Sequence, residues 1–316
     1  MNIQSSTFTE HVVNAMRSLY PEELADRAWD NVGLLLENSE QASEATPTVL
    51  LTNDLTPEVA EEAIAKGASV IVTYRKPEEA THPFIFRGLK SVTLRDPQQK
   101  ILIRLAQANV AVYSPHTAMD AALGGINDWL ADMVVRPADG SAPAAREAER
   151  RVVQPVAQPP PGFEGTGYGR LVRFESAVPF GAVVRAVARG VGGMRRVMVA
   201  APRRRRDGGG GGGAKASADE VSSAAVCAGS GWDVLKDCDA DVFVTGETSH
   251  HSALRAVMLG KRVVMVFHSN SERLFLRQRL QGQLRDHLRG QGVECSVLVS
   301  EADADPFEIW DVDDMP

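Results

Sequence analysis

The segment from Thr48 to Tyr74, TVLLTNDLTPEVAEEAIAKGASVIVTY, constrains the fold more than any other. Residues 48–52 and 68–74 are short apolar runs rich in Val, Ile and Thr, which reads as two buried strands. Between them Thr56 is placed to cap a helix, Pro57 suits its first turn, and Gly67 ends it. Strand, helix and strand within about 27 residues make a βαβ unit, which favours parallel pairing. The fold class expected from this unit is α/β.

The same pattern extends in both directions. Helical spacing of apolar residues covers 7–19, and a second helix start is expected at 21–25. A helix at 98–108, a strand at 110–113 and a helix at 125–134 complete a first α/β lobe, residues 1–136. Residues 137–165 are rich in Pro, Ala and Gly and read as a linker, with a short helical piece at 144–151. A second α/β lobe, 166–316, is expected to contain strands at 170–174, 196–201, 223–227, 242–245 and 262–267. Its helices are expected at 180–188, 251–259 and 272–288. The run RRRRDGGGGGGAKASADE, 203–220, has no core-forming residues and reads as a disordered surface loop.

With 316 residues the chain can bury one large or two medium cores. Its net charge of −7 argues against a nucleic-acid binder, and Arg203 to Arg206 lack interleaved aromatics. Cys227, Cys238 and Cys295 have no CxxC spacing, as expected of reduced thiols rather than a disulfide framework. No apolar run approaches the roughly 18 residues of a membrane span. The N-terminal stretch lacks the apolar core of a secretory signal. The expected compartment is the cytoplasm, with mitochondrion and nucleus as alternatives.

Histidines and carboxylates recur just after expected strands, where ligands collect in open α/β sheets. His268 sits at the exit of one strand and Glu272 four residues on, so an imidazole nitrogen and a carboxylate oxygen can face one point, as a divalent transition metal requires. The alternative is that Ser269 or Asn270 caps a helix and Glu272 is an ordinary first-turn acid. His116 and Asp120 repeat the spacing, but Pro115 makes a turn more natural than a helix, and Asp120 could equally be an N-cap. His250-His251 fits a helix start capped by Ser249. Gly229-Ser230-Gly231 has the outline of a phosphate-cradling turn or of a plain tight turn. Walker, GxSxG and HExxH patterns are absent, which leaves nucleophilic Ser/His/Asp catalysis without an anchor.

Taken together, WDNVGLLLE (29–37), LTNDLTPEVAEEAI (51–64), HPFIFRGLK (82–90), VYSPHTAMDAALGGINDWLA (112–131), CAGSGWDVL (227–235), DVFVTGETSHH (241–251) and FHSNSERLFL (267–276) resemble one family. It is that of the GTP cyclohydrolase I type 2 homologues, also called the NGG-one-interacting-factor-three family, in its eukaryotic branch. The resemblance implies two similar α/β lobes with a metal-binding cleft between them, and a toroidal homohexamer. It implies up to two divalent ions (zinc, manganese, iron or magnesium) on His82, Asp120, His268 and Glu272, with Asp120 and Glu272 able to bridge. Tyr74 stands where the first histidine of the family's HHP motif falls. The implied activity is metal-assisted hydrolysis of a nucleotide or related small molecule, with a metal-bound hydroxide as nucleophile and His116 or Glu247 carrying a proton. The other class it implies is a non-catalytic metal-binding protein that partners a transcriptional regulator. Resembling sequences read Tyr-His-Pro at the strand end, whereas here Arg75 to Thr81 intervene. Arg75, Lys76, Glu78 and Glu79 are expected to loop into solvent, leaving His82 to be placed by Pro83 to Phe86; the alternative is that the insertion pushes His82 away and a metal ligand is lost.

Overall fold

A computed structural model describes residues 3–41, 45–75, 91–136, 140, 142–202 and 219–310. His82, the expected ligand, and most of the Arg/Gly-rich loop at 203–220 lie outside these residues.

Eleven strands among the described residues form two sheets. The first takes β1 (Gly33–Leu36), β2 (Thr48–Thr52), β3 (Ala68–Thr73), β4 (Ala111–Ser114) and β11 (Ser296–Val299), in the order β1-β4-β3-β2-β11. The second takes β5 (Glu147–Pro155), β6 (Gly167–Pro179), β7 (Met198–Ala200), β8 (Glu220–Cys227), β9 (Val242–Thr245) and β10 (Arg262–Met265), in the order β5-β6-β8-β9-β10-β7. The βαβ unit is present as expected: β2 and β3 pair in parallel around α2 (Pro57–Ala65), whose first turn is capped by Thr56 Oγ1 accepting from Val59 N at 3.3 Å. Two parallel trios result, β2/β3/β4 and β8/β9/β10.

The remaining helices are α1 (Thr7–Leu19), α3 (Pro97–Gln107), α4 (His116–Ala121), α5 (Ile126–Val135), α6 (Phe180–Gly190), α7 (Trp232–Leu235), α8 (His250–Met258), α9 (Arg273–Phe275) and α10 (Gln281–Gly290). Strand alternation sorts the core into layers. In the first sheet Leu50, Ile71 and Val112 face α2 and α3, while Val49, Leu51, Val70 and Val72 face inward. In the second, Leu171, Ala225, Phe243 and Val263 pack with Leu235 of α7 and Ala256 of α8. The inward faces of both sheets share one continuous core with α1, α5, α6 and α10. Helix α5 runs through its middle and is buried on nearly every side, its Asp128 and Asp132 being paired with arginines.

Several expectations need correction. Residues 147–155, expected inside a linker with a helical piece, form edge strand β5, antiparallel to β6. It carries Glu147, Glu149, Arg150 and Arg151, none of its residues is fully buried, and charge on an edge strand discourages pairing with other chains. The lobe boundary is also crossed: β11, from the C-terminal end of the second expected lobe, pairs in parallel with β2 of the first sheet. The helix expected at 21–25 is only a 3-10 turn, Glu22–Leu24. That expected at 272–288 is broken by the π-turn Leu276–Leu280 between α9 and α10. Among the described residues no helix is long and apolar enough to cross a membrane.

Candidate functional site at the junction of the two sheets

The carboxyl ends of the two parallel trios meet. From the first sheet, Asn53 and Asp54 follow β2, Tyr74 and Arg75 follow β3, and His116 follows β4. From the second, Gly229 follows β8, Glu247 follows β9 and His268 follows β10. Two histidines in this set stand at backbone kinks: His116 itself has φ 29°, and Phe267, just before His268, has φ 64°. Non-glycine residues pay for such conformations, so they persist only where surrounding contacts hold them.

Each of these histidines is held by a carboxylate on Nδ1. His116 Nδ1 lies 2.8 Å from Asp30 Oδ1, and Asp30 Oδ2 also accepts from Thr117 N at 3.2 Å and Thr117 Oγ1 at 2.5 Å. Burial alone would raise the Asp30 pKa, but His116 and Thr117 outweigh it and hold the carboxyl below its usual range. His268 Nδ1 lies 2.9 Å from Glu247 Oε1, which also accepts from Ser230 Oγ at 2.9 Å. A carboxylate on Nδ1 fixes the ring and leaves Nε2 for a ligand or a proton.

His268 and Glu272 do converge, with Nε2 3.3 Å from Oε1. They do so without a helix, because Ser269–Ser271 forms a 3-10 turn and Glu272 follows it at φ −133°. Glu272 is buried, and its second oxygen receives Asn53 Nδ2 at 3.2 Å and Arg75 Nε and Nη2 at 3.0 and 2.6 Å. Burial works to raise the Glu272 pKa, yet His268 and Arg75 hold it below its usual range. Conversely His268, which burial would lower, is raised by Glu272 and Glu247. The Gly229-Ser230-Gly231 turn closes against this pair. A Cβ on Gly229 would lie 2.7 Å from His268 Nε2 and 2.9 Å from Glu272 Oε1, so the turn serves close approach.

Asp120 is neither in an open turn nor an N-cap: it lies within helix α4. Its Oδ1 accepts the Tyr74 hydroxyl at 2.6 Å. Burial, reinforced by the nearby Glu272 and Asp30 charges, pushes its pKa up to about 6 despite the opposing pull of His116 and Tyr74. Tyr74 is raised in turn, by burial and by Asp120 and Glu272.

The structure therefore brings His116, Asp120, Glu247, His268 and Glu272 to one junction. His250 and His251 begin α8, capped by Ser249 as expected, and are exposed. Arg75, expected in solvent, is instead turned inward onto Glu272 and Asp54, the latter at 3.2 Å. Asp30, Asn53 and Asp54 carry no assigned role in the sequence reading. Their positions just before β1 and at the end of β2, inside WDNVGLLLE and LTNDLTPEVAEEAI, were the available signal.

The Duf34/NIF3 (NGG1p interacting factor 3) model matches residues 8–306. The chain belongs to the Duf34/NIF3 family. Among its relatives, the protein NIF3 homolog of Schizosaccharomyces pombe is 38% identical over 306 residues, 96% of this chain and 99% of the relative. The NGG1-interacting factor 3 of Saccharomyces cerevisiae is 35% identical over 308 residues, 95% and 96% of the two chains. The fold matches that of the Bacillus cereus protein related to NIF3, with a TM-score of 0.72 at 20% identity, covering 98% of this chain and all of that one.

Among the described residues no three His, Cys, Asp or Glu side chains converge closely enough to hold an ion by themselves. His268 Nε2 and Glu272 Oε1 are near enough for one ion to touch both. Beside them Asn53 Oδ1 is buried without a hydrogen-bond partner among the described residues, as a hard oxygen donor awaiting a cation would be. His268 Nε2 and Glu272 Oε1 could both touch one cation, with Asn53 Oδ1 as a further candidate donor. They do not fit a pair bridged by Glu272, because Oε2 already carries three N–H donors.

Proposed function

We propose that this NIF3-family chain binds a divalent cation at the sheet junction and hydrolyses a small molecule there, a nucleotide or a related compound being the candidate class. The observation that carries this reading is the pair of carboxylate-fixed histidines, His116 with Asp30 and His268 with Glu247, at the carboxyl ends of strands that meet at Asp120 and Glu272. His268 and Glu272 are the first donors, with Asp120 and His82 as further ligands. Zinc, manganese, iron and magnesium all accept such nitrogen and oxygen donors. A bound cation would polarise a substrate oxygen. Tyr74 donates its hydroxyl to Asp120 Oδ1 at 2.6 Å and so would orient that carboxylate toward the cation. His116 is held through Nδ1, its Nε2 has no hydrogen-bond partner among the described residues and would carry a proton, and Glu247 keeps His268 in register through Nδ1. Assembly into a homohexamer and a cytoplasmic location belong to the same proposal.

Elemental analysis and native mass of the purified protein, with turnover of a nucleotide panel under each metal, test this. Turnover by the wild type that Asp120→Asn abolishes supports it. No turnover under any metal overturns the hydrolase reading.

A second reading, a protein-interaction factor, is favoured by the name of the budding-yeast relative and by one surface feature. Phe307, Ile309 and Trp310 stand 76%, 51% and 65% exposed in an acidic C-terminal stretch, and clustered exposed apolar residues mark contact sites. Partner binding retained by Asp120→Asn, without turnover by the wild type, would select it.

A further inference from the structure

Arg75 follows β3 directly and is anchored by the end of β2. Its N–H donates to Asn53 O at 3.0 Å, and its carbonyl accepts from Thr73 Oγ1 at 2.7 Å. From this fixed backbone the side chain reaches across the junction. Nε and Nη2 both donate to Oε2 of Glu272, at 3.0 and 2.6 Å, while Nη1 lies 3.2 Å from Asp54 Oδ1. The two carboxylates differ in setting: Glu272 is 2% exposed and Asp54 26%.

We infer that Arg75 is a built-in counter-cation that competes with a divalent ion for Glu272, and that Asp54 receives its guanidinium when the ion binds. This rests on the cation-binding reading above and adds to it a control on occupancy. A carboxylate buried as deeply as Glu272 is costly when unpaired, so the cation-free protein needs a positive partner there. Arg75 supplies it. A divalent ion at His268 and Glu272 brings a second positive charge within a few ångströms of the guanidinium, in a setting where water screens little. A lysine or histidine in that position could shed its proton. Arginine stays charged, so relief comes only by moving. Asp54 already holds one edge of the guanidinium and opens toward solvent, where a charge is better tolerated. The exchange therefore moves one side chain between two partners already in contact and leaves the Arg75 backbone in place.

Calorimetric titration of Mn2+ alone into the metal-stripped full-length wild type, Arg75→Gln and Asp54→Asn tests the inference. Arg75→Gln should bind Mn2+ at least tenfold more tightly than the wild type, while its cation-free form melts at a lower temperature. Asp54→Asn, a change at a partly exposed position, should bind more weakly because the displaced guanidinium loses its second partner. If Arg75→Gln is too unstable for titration without metal, Asp54→Asn decides alone. Unchanged affinity in either variant that binds Mn2+ overturns the inference and leaves the cation-binding reading standing. Absence of Mn2+ binding in all three proteins removes both.

Discussion

Asp30 Oδ1 lies 2.8 Å from His116 Nδ1, although 86 residues separate the two in sequence. Asp30 thereby ties the segment before β1 to the residue that follows β4, and it holds His116 in a conformation with φ 29°. The same carboxylate takes both the N–H and the hydroxyl of Thr117. Replacing Asp30 by Asn keeps the shape but removes the charge and swaps an acceptor for a donor. Asp30→Asn should cost about 1–3 kcal/mol of stability, the range for breaking a buried hydrogen-bonded group. Urea unfolding measures it. A midpoint equal to the wild type's would show that the backbone at His116 holds without Asp30.

Arg170 joins β6 to the start of α5 and is 1% exposed. Its Nε and Nη2 grip both oxygens of Asp128 at 3.0 and 2.9 Å. Its other bonds go to the carbonyls of Gly167 at 2.6 Å, Gly169 at 2.8 Å, Ala122 at 2.9 Å and Ala121 at 3.4 Å. Arg170→Met would leave Asp128 only Arg150 Nη1 at 3.3 Å and Gly124 N at 2.8 Å, so it should lose about 3 kcal/mol, the low end for breaking a buried pair. Arg170→Lys should recover only part of this, because an ammonium cannot fork onto both oxygens of Asp128. Equal urea midpoints for Arg170→Met and the wild type would contradict the pairing.

Glu62 of α2 fixes the chain just past β11. It accepts from Ser300 Oγ, from Glu301 N at 2.9 Å, from Ala302 N at 3.2 Å and from Lys66 Nζ at 2.8 Å. Burial would raise its pKa, but these donors win and lower it from 4.5 to about 2. A folded-state pKa below the unfolded one stabilises fully above the unfolded value and is lost as pH falls through the folded value. Discounted for the solvent that reaches this pair, the contribution is about 1–2 kcal/mol. The stability difference between wild type and Glu62→Gln should therefore be constant above about pH 5.5 and vanish toward pH 2. A difference that does not change with pH over that range would refute the assignment.

Much of this architecture is legible in local sequence, and the reasons for the exceptions are physical. The βαβ unit declares itself because a capped helix and two buried strands are encoded within one short segment. His268 and Glu272 are readable together because both follow one strand. Arg75 misleads, since a charged residue beside Lys76, Glu78 and Glu79 has every local reason to be solvated; its two carboxylate partners come from β2 and from the far sheet. Asp30 is hidden for the same reason. Strand β5 escapes because an edge strand carrying charge on its open face has the composition of a linker. Strand β11 is short, and its place in the first sheet depends on a chain path that no periodicity records.

Gly67 and Gly229 permit a direct measure of how tightly the Gly229-Ser230-Gly231 turn confines the His268–Glu272 pair. Both glycines are left-handed, at φ +65° and +62°. At Gly67 an added Cβ meets nothing within 4 Å, so Gly67→Ala reports backbone strain alone, about 1–2 kcal/mol. At Gly229 the same Cβ would press on His268 Nε2 and Glu272 Oε1, at 2.7 and 2.9 Å. Gly229→Ala should thus lose more stability than Gly67→Ala, by about 1 kcal/mol or more for forced repacking. It should also weaken Mn2+ binding, which Gly67→Ala should leave alone. Equal losses in the two variants, with equal affinity, would mean that the ring and the carboxylate yield freely and that the turn imposes nothing on them.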